Sequence, residues 1–212
     1  MTALQDLWIA ENRFSSILPT EIGLLTNMET FFGYLNLLDG SIPVELTQLT
    51  KLESLQLYNN TFAGNFTPFG LSLDQLTGLD TLRLDFNFLT GNIPSQISAL
   101  TALTDLRLNN NIFSGNIPDE IRSLVNLRFL VLNDNFLTGS LASDVFGSYV
   151  QLDSVDLSSC FLLGEIPSSL FDLATIRLVY LNNNAFTGTI PATFGAAPLL
   201  RDPFIDNNSM NG

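Results

Sequence analysis

The sequence predicts an α/β repeat solenoid, and three observations support that fold class. A unit of about 24 residues recurs along the whole chain. Each unit opens with apolar residues at the spacing L-x-x-L-x-L, and an asparagine follows the third of them after two residues. Most units then close on the element F/L-x-G-x-I-P, as Phe113 to Pro118 do in the fifth unit. Units of this kind stack on their neighbours and share one continuous apolar core.

Nine such units predict a single repeat domain over residues 1–212. The array begins at Leu4 and stops at Gly212, part-way through a unit. We therefore expect a fragment of a longer protein that lacks one or both terminal caps. Uncapped ends expose strand edges, which favours end-to-end self-association of two copies. The units start at Leu4, Met28, Leu52, Leu79, Leu103, Leu127, Leu152, Ile176 and Leu200.

The second and third leucines of each unit stand in an alternation of apolar and polar residues, which is the period of a β-strand. Stacking about nine of these strands in parallel gives one concave sheet. The asparagine follows where the chain turns away, and its amide can bond backbone groups that the turn buries. We therefore expect an asparagine ladder along the array. The seventh unit has Cys160 at this position, which we interpret as a buried structural thiol that weakens its unit slightly.

Glycine and proline complete the unit. The glycine predicts a positive φ or a close backbone approach, and the proline fixes an extended φ where no N–H is needed. Ser16 replaces the glycine in the first unit. The third unit is three residues longer, over residues 65–73. This segment is either a second candidate for ligand contact or, more simply, a tolerated surface insertion.

The G-x-I-P element resembles that of the plant-type extracellular leucine-rich-repeat family. That family includes ectodomains of receptor kinases, receptor-like proteins and polygalacturonase-inhibiting proteins. The match covers residues 4–212 and rests on residues 91–94, 115–118, 164–167 and 188–191. The resemblance implies a right-handed superhelix with a short second sheet and 3-10 segments on its convex side. It also implies a secreted or membrane-anchored protein that binds peptides, co-receptors or cell-wall polysaccharide.

Two features of the chain depart from that family. Cysteine-paired caps are not visible, and strong acidity is atypical of the inhibitor group. The acidity also limits the partners: 8 basic and 21 acidic residues give a net charge of −13, which disfavours nucleic acid and anionic membrane surfaces. No apolar run reaches the length of a membrane-spanning helix, so we expect no membrane contact within this fragment.

Catalysis is not expected either. The sequence has no histidine, which removes the commonest acid–base group, His-dependent triads and most zinc sites. A calcium site or an acid–base pair built from Asp134, Asp153 and Asp156 is disfavoured, because perturbed carboxylates need a dry pocket that an open sheet does not offer. We therefore expect no enzyme activity, no cofactor and no metal.

The outward strand positions of the concave sheet form the expected binding surface. Aromatic residues and arginine, the types enriched at binding hot spots, cluster there toward the N-terminal end. A structural alternative pairs the arginines with Asp80, Asp85 and Asp105 and packs the aromatic rings against one another to complete that end. The candidate ligand-binding residues are Trp8, Phe32, Tyr34, Tyr58, Arg83 and Arg107.

Three sequons mark candidate glycosylation sites at Asn59, Asn65 and Asn207. They agree with an extracellular glycoprotein, although a chain so rich in Asn, Thr and Ser contains such motifs by chance. Asn59 and Asn207 are expected at the edge of the concave sheet, and a glycan at Asn59 would crowd the aromatic cluster.

The sequence leaves three function classes open. The first is extracellular recognition, as part of the ectodomain of a cell-surface receptor that binds a peptide or protein ligand or a co-receptor. The second is a secreted inhibitor or a cell-wall-binding protein. The third is a structural surface role, including the binding of ice or mineral by a repetitive face.

Overall fold

The computed structural model describes residues 3–211, so Met1, Thr2 and Gly212 of the expected domain lie outside the described residues. Sixteen short strands, numbered in chain order, alternate between two sheet faces of a solenoid. The odd-numbered strands form one parallel eight-stranded sheet, and the ninth unit adds a bridge between Tyr180 and Phe204. These strands are β1 Asp6–Trp8, β3 Thr30–Phe32, β5 Ser54–Gln56, β7 Thr81–Arg83, β9 Asp105–Arg107, β11 Phe129–Val131, β13 Ser154–Asp156 and β15 Leu178–Tyr180.

The even-numbered strands form the second layer that the family resemblance implies. Strands β2 and β4 pair with each other, and the other six form one sheet in repeat order. Every pairing here is displaced by two residues from the repeat-equivalent position; Ser114, for example, pairs with Phe136 instead of Thr138. The even-numbered strands are β2 Ser15–Ile17, β4 Leu37–Asp39, β6 Ala63–Asn65, β8 Phe88–Gly91, β10 Ile112–Asn116, β12 Phe136–Ser140, β14 Phe161–Glu165 and β16 Ala185–Thr187.

Helical structure in the described chain is mostly 3-10. Six of the seven 3-10 helices directly follow a proline, and four of these prolines have an extended backbone. The proline ring fixes φ where each return connection begins. No helix within residues 3–211 has the length and apolarity needed to cross a membrane. The 3-10 helices are Thr20–Leu24, Val44–Gln48, Leu73–Gln75, Ser95–Ala99, Asp119–Ser123, Ser168–Leu170 and Ala192–Ala196.

The core is a single apolar stack that runs along the array. In the fifth unit, Leu103, Leu106, Leu108 and Phe113 are all buried, and the same positions are buried in the units on either side. Each unit therefore covers its neighbours, as the repeat pattern predicts.

The asparagine ladder is present. Asn111 donates from Nδ2 to the backbone oxygens of Leu84 in the preceding unit (3.0 Å) and Leu108 in its own (3.1 Å). Its Oδ1 accepts the backbone N–H of Leu89 at 2.9 Å. The same three-way pattern occurs at Asn36, Asn60, Asn87, Asn135, Asn184 and Asn208.

Cys160 interrupts that ladder in the seventh unit. Its thiol is buried and reaches the backbone oxygen of Leu132 only at 3.6 Å, a weak contact compared with the amide bonds of other units. Burial raises the pKa of the Cys160 thiol to about 11. The structure thus agrees with the interpretation of a structural thiol.

The glycine position has positive φ in every unit from the second to the eighth, as predicted, and Gly212 of the ninth unit lies outside the described residues. Gly40, for instance, has φ +69, and a Cβ there would lie 2.6 Å from a side-chain carbon of Ile17. Ser16 adopts the same kind of backbone, with φ +90, without the freedom of glycine. The first unit therefore carries backbone strain at this position, where the second to eighth units have glycine.

The longer third unit differs from the simple surface insertion that the sequence suggested. Its extra residues form a short α-helix, α1 (Thr67–Gly70), and bury Phe66 and Phe69. The Phe66 ring packs edge-on against Phe113, with centroids 5.3 Å apart. The added residues replace the G-x-I-P return and extend the core, and the burial of two aromatic rings favours this arrangement over an exposed loop.

Candidate ligand-binding surface on the concave sheet

Strand register places the candidate residues in the columns that the repeat alignment predicts. Trp8 pairs with Phe32, and Arg83 pairs with Arg107, each with its repeat-equivalent neighbour. Gln56 stands between Phe32 and Arg83 in the same column. Tyr34 and Tyr58 lie two residues further along their units, so a second column begins beside the first. Alternation then turns all these side chains to the outer face of the sheet.

The aromatic rings form a continuous chain of contacts across three units. Trp8 stacks on Phe32 with centroids 5.7 Å apart, and Phe32 contacts Tyr34 at 6.1 Å. Tyr34 and Tyr58 are almost parallel, 4.5 Å apart. Trp8 remains 71% exposed at the end of this chain. We refer to these four residues with Arg83 and Arg107 as the concave track.

Arg83 extends the concave track into the fourth unit. Its guanidinium carbon lies 4.1 Å from the centre of the Tyr58 ring, within cation–π range. The same group donates from Nε and Nη2 to the two oxygens of Asp85, at 3.4 and 3.3 Å. Asp85 is only 3% exposed, and this burial raises the pKa of its carboxyl although Arg83 opposes the shift. A guanidinium has five N–H donors, of which Asp85 receives two, so Arg83 keeps donors for a ligand.

Arg107 occupies the next strand and has a different partner. Its Nε donates to Asp105 at 2.8 Å, and its guanidinium carbon lies 5.4 Å from the Phe129 ring centre. Asp80, the third carboxylate expected near the arginines, instead accepts from the hydroxyl of Thr104. The structural alternative is therefore present in part: both arginines have ion pairs and the aromatic rings do stack. All six candidate residues nevertheless stay on the outer face.

A side-chain oxygen without a hydrogen-bond partner lies next to Asp85 in the second column. Asn109 follows Asp85 in the second column and is buried, yet its Oδ1 has no hydrogen-bond partner. Buried polar atoms are normally paired. Asn109 is therefore an exception among the buried polar side chains of the described residues, and its oxygen is covered by protein atoms.

Two exposed apolar residues next to the concave track were missed by sequence reasoning. Leu35 and Phe86 directly precede ladder asparagines and have φ +53, a left-handed conformation that is costly for bulky side chains. Both are about half exposed. Asn59, between them in the array, has the same backbone conformation. Aligning the units at the residue before the ladder position identifies Leu35 and Phe86 as exceptions, because the other units have Asn, Asp, Ser or Glu there.

An acidic rim runs along one side of the concave track. Glu29, Glu53 and Asp80 directly precede their strands and are joined backbone to backbone: Glu53 donates to Glu29, and Asp80 donates to Glu53, both at 2.8 Å. Farther along the array the equivalent position is mixed in charge, with Thr104, Arg128, Asp153, Arg177 and Arg201. The rim beside the aromatic rings is therefore negative, which favours a basic group on whatever binds there.

The three sequon asparagines are all exposed. Asn59 directly follows Tyr58 at the edge of the concave sheet, as expected. Asn65 instead lies at the end of β6, where its Oδ1 accepts the backbone N–H of Thr67 in its own sequon. Asn207 donates to Asn183 at 2.9 Å. Glycosylation at these positions stays a prediction.

The acidic residues considered as a metal or acid–base site take other partners. Asp153 pairs with Arg177, and Asp156 accepts from the Ser158 hydroxyl at 2.7 Å. Burial raises the pKa of Asp156. Asp134 accepts from Asn133. Across residues 3–211, no three side chains of His, Cys, Asp or Glu come together as a metal-binding group.

Comparisons with known proteins agree with this architecture. The Leucine Rich Repeat family model matches residues 102–124 and 151–173. No curated protein sequence matches the chain. Among solved structures, that of PEPR1-AtPEP1 is 30% identical with a TM-score of 0.93; the match covers 99% of this chain and 29% of that one.

Two further structures extend the comparison. The leucine-rich-repeat ectodomain of the Arabidopsis receptor kinase HAESA, in complex with the IDA peptide hormone, is 26% identical with a TM-score of 0.78, over 99% of this chain and 38% of that one. A plant ice-binding protein is 25% identical with a TM-score of 0.88, over 100% of this chain and 66% of that one. The chain thus spans about two thirds or less of each structure's length.

Proposed function

We propose that this leucine-rich-repeat protein, which shares the fold of plant receptor ectodomains, is an extracellular recognition module that binds a peptide or protein ligand on the concave track. One observation carries the proposal: the unbroken series of ring and cation–π contacts from Trp8 through Tyr58 to Arg83, at positions facing away from the core. Exposed aromatic residues and arginine gathered in one patch are typical of binding hot spots.

The repeat itself does not require aromatic residues at these positions. The same columns hold Val131 and Asp156 in the first and Asn133 and Ser158 in the second, within strands of the same geometry. The aromatic side chains are therefore not needed to form the sheet. Their cost is exposed apolar surface, which a ligand would cover.

The surroundings of the track define the ligand's chemistry. The rings offer a platform for an apolar or aromatic side chain, and Arg83 and Arg107 offer N–H donors for a carboxylate or a backbone carbonyl. The rim of Glu29 and Glu53 favours a basic side chain next to the apolar one. A peptide with adjacent basic and aromatic residues meets all three demands. The HAESA structure holds a peptide hormone, which supports a peptide as the class of ligand.

Receptor membership follows as part of the same proposal. An extracellular location, a co-receptor as second partner and a binding role without catalysis are what the receptor ectodomains with this fold suggest. A secreted inhibitor or a protein that binds cell-wall polysaccharide remains the alternative, because stacked aromatic rings also suit sugar rings.

Selection of binding peptides tests the proposal. A displayed random-peptide library is selected on the immobilised chain, and enriched peptides are tested against a chain carrying Trp8→Ala and Tyr58→Ala. A second variant carries Arg83→Gln and Arg107→Gln. The expected result is enrichment of peptides whose binding falls at least tenfold in both variants. The matched control is Phe161→Ala, an exposed aromatic residue on the second sheet. Peptides that bind all variants equally would contradict the proposal.

Ice binding is a second candidate, favoured by the match to a plant ice-binding protein and by one repetitive feature. Thr90, Ser114 and Thr138 occupy equivalent outward positions on the second sheet, so a hydroxyl group recurs once in each of three units. Because the strand pairing is displaced by two residues, Ser114 lies beside Phe136 and not directly beside Thr138. Thermal hysteresis of the purified chain measures this activity directly. Hysteresis that disappears in a Thr90→Lys and Thr138→Lys variant would favour ice binding over peptide recognition.

A further inference from the structure

The second sheet carries an exposed row of large apolar side chains that neither the fold nor the proposed function explains. The row follows the position directly after the ladder residue, and four successive units place a phenylalanine or isoleucine there. Each of these side chains is 41–57% exposed. Leu163 lies two residues further along β14 and is equally exposed. The apolar row consists of Phe88, Ile112, Phe136, Phe161 and Leu163.

Other units show that the repeat does not need a large apolar residue at this position. Arg13, Thr61, Ala185 and Ser209 stand there in the first, third, eighth and ninth units. The second unit has Leu37 there, which is also exposed but is separated from the row by Thr61. Strand β16, which neighbours the row on one side, begins with Ala185 at this position, and on the other side Thr61 precedes strand β6. The row is therefore a property of the middle of the array, from the fourth unit to the seventh.

The row is also free of charge, in a chain whose net charge is −13. The outward neighbours of the apolar side chains are hydroxyl and amide groups, among them Thr90, Ser114 and Thr138. Glu165, at the far end of β14, is the one charged residue among the outward positions of β8, β10, β12 and β14. Two copies can therefore bring this face together without opposing their charges across the contact.

The displaced pairing of the second sheet makes the surface of this face uneven. Phe136 lies beside Ser114, and Phe161 lies beside Thr138, because each pairing is displaced by two residues. Large apolar side chains thus alternate with small hydroxyl residues. Phe136 and Phe161 also stack, with ring centroids 6.0 Å apart. In a two-fold arrangement the ridges of one copy can enter the furrows of the other.

The available area suits a weak dimer. A large apolar or aromatic side chain has about 150–250 Å² of surface. Five half-exposed side chains then offer about 500 Å² per copy, and their hydroxyl and amide neighbours bring the face toward the roughly 800 Å² per partner of a standard interface.

We propose that the apolar row on the second sheet is the contact face of a two-fold homodimer of this chain. This contact is distinct from the concave track, so a ligand can bind each copy while the dimer persists. It is also distinct from end-to-end pairing, because it uses the side of the solenoid. A two-fold axis near β10 and β12 directs the two Glu165 side chains to opposite ends of the face.

Sedimentation of the 212-residue chain over roughly 1–200 μM tests the proposal. The expected result is a monomer–dimer equilibrium whose Kd lies within that range. Added salt should tighten it, since salt screens the repulsion between two acidic copies and the contact itself contains no ion pair. A variant carrying Phe136→Ser and Phe161→Ser should raise Kd at least tenfold, whereas Trp8→Ser on the concave face should leave it unchanged.

A second variant keeps the test independent of lost apolar area. Thr138→Glu introduces a charge into the centre of the face, and its dimer should weaken at low salt and partly recover at high salt. The circular dichroism of each variant should match that of the parent, because the substituted side chains are exposed. A strict monomer across the range, a dimer weakened by salt, or a dimer unaffected by Phe136→Ser and Phe161→Ser would overturn the proposal.

Discussion

Inward and outward positions of the same repeats differ in how much the residue type varies from unit to unit. The ladder position changes once in the eight units from the second to the ninth, to Cys160, and each asparagine there makes the same three bonds. The first outward column, four residues before the ladder position, varies in chemistry and includes Trp8, Arg83 and Asp156. The proposed function thus assigns recognition to side chains that lie only a few residues from those that stabilise the fold. Substitutions at the two kinds of position should therefore separate the two properties.

The largest effect is expected from breaking the ladder. Asn111→Ala leaves the backbone N–H of Leu89 buried without its partner and removes one of the two amide bonds to the backbone oxygen of Leu84, which still accepts from Asn87. The expected cost is about 2–3 kcal/mol in the free energy of unfolding. Urea unfolding followed by circular dichroism measures it. Asn109→Ala is the matched control two residues away, and it should cost less than about 1 kcal/mol, because Asn109 Oδ1 has no partner to lose. Equal losses in the two variants would contradict the division between inward and outward positions.

Substitutions on the concave track are expected to weaken ligand binding and to leave stability almost unchanged. Trp8→Ala or Tyr58→Ala should weaken binding of a selected peptide by about 10- to 100-fold, or about 1.4–2.7 kcal/mol. The free energy of unfolding should change by less than about 1 kcal/mol, since both side chains lie outside the buried core. Calorimetric titration and urea unfolding of the same preparations provide both numbers. A variant that loses stability and keeps its affinity would show that the rings serve the fold.

Cys160 permits a repair of the ladder. Cys160→Asn should restore an amide donor to Leu132 and an acceptor for Leu137, whose N–H lies against the sulfur, and so stabilise the chain by about 1 kcal/mol. Urea unfolding of the parent and the variant measures the change, and Cys160→Ser provides the control because a hydroxyl is too short to span both groups. Destabilisation by Cys160→Asn would mean that the seventh unit is already fitted to sulfur.

The smallest expected effect is a pH dependence at the centre of the track. Burial raises the pKa of Asp85 above its ordinary value of 3.8, so the folded chain holds this proton more tightly than the unfolded chain. The ionised Asp85 carboxyl therefore lowers the free energy of unfolding at pH values above its folded-state pKa. This loss of stability disappears as the pH falls below the ordinary aspartate pKa of 3.8. Unfolding at several pH values from about 3.5 to 7, for the parent and Asp85→Asn, isolates the term. A difference between the two chains that is constant with pH would contradict the shift.

Much of the fold follows from the sequence because a repeat fixes local geometry. The order of the outward column, the ladder and the positive φ of the glycines were all predicted by aligning units, and strand register, hydrogen bonds and backbone angles confirm them. The ninth strand is reduced to the bridge at Phe204, which a count of units does not show.

The rest depended on contacts between units that no alignment displays. Phe66 and Phe69 looked like part of a surface loop, because Phe66 packs on Phe113 two units away and Phe69 packs on Phe66. Of the aspartates expected near the arginines, Asp105 pairs with Arg107 whereas Asp80 accepts from Thr104. Side-chain geometry decides between them, and the sequence does not display it. The apolar row was overlooked because its position varies among units and has no role in the repeat pattern.

Hydrogen exchange of the chain with and without a selected peptide tests the central claim most directly. Binding on the concave track should slow exchange in β1, β3, β5 and β7 and in the turns that follow them, and leave β8, β10, β12 and β14 unchanged. Protection confined to the second sheet, or spread evenly along the array, would contradict the assignment of recognition to Trp8, Tyr58 and Arg83.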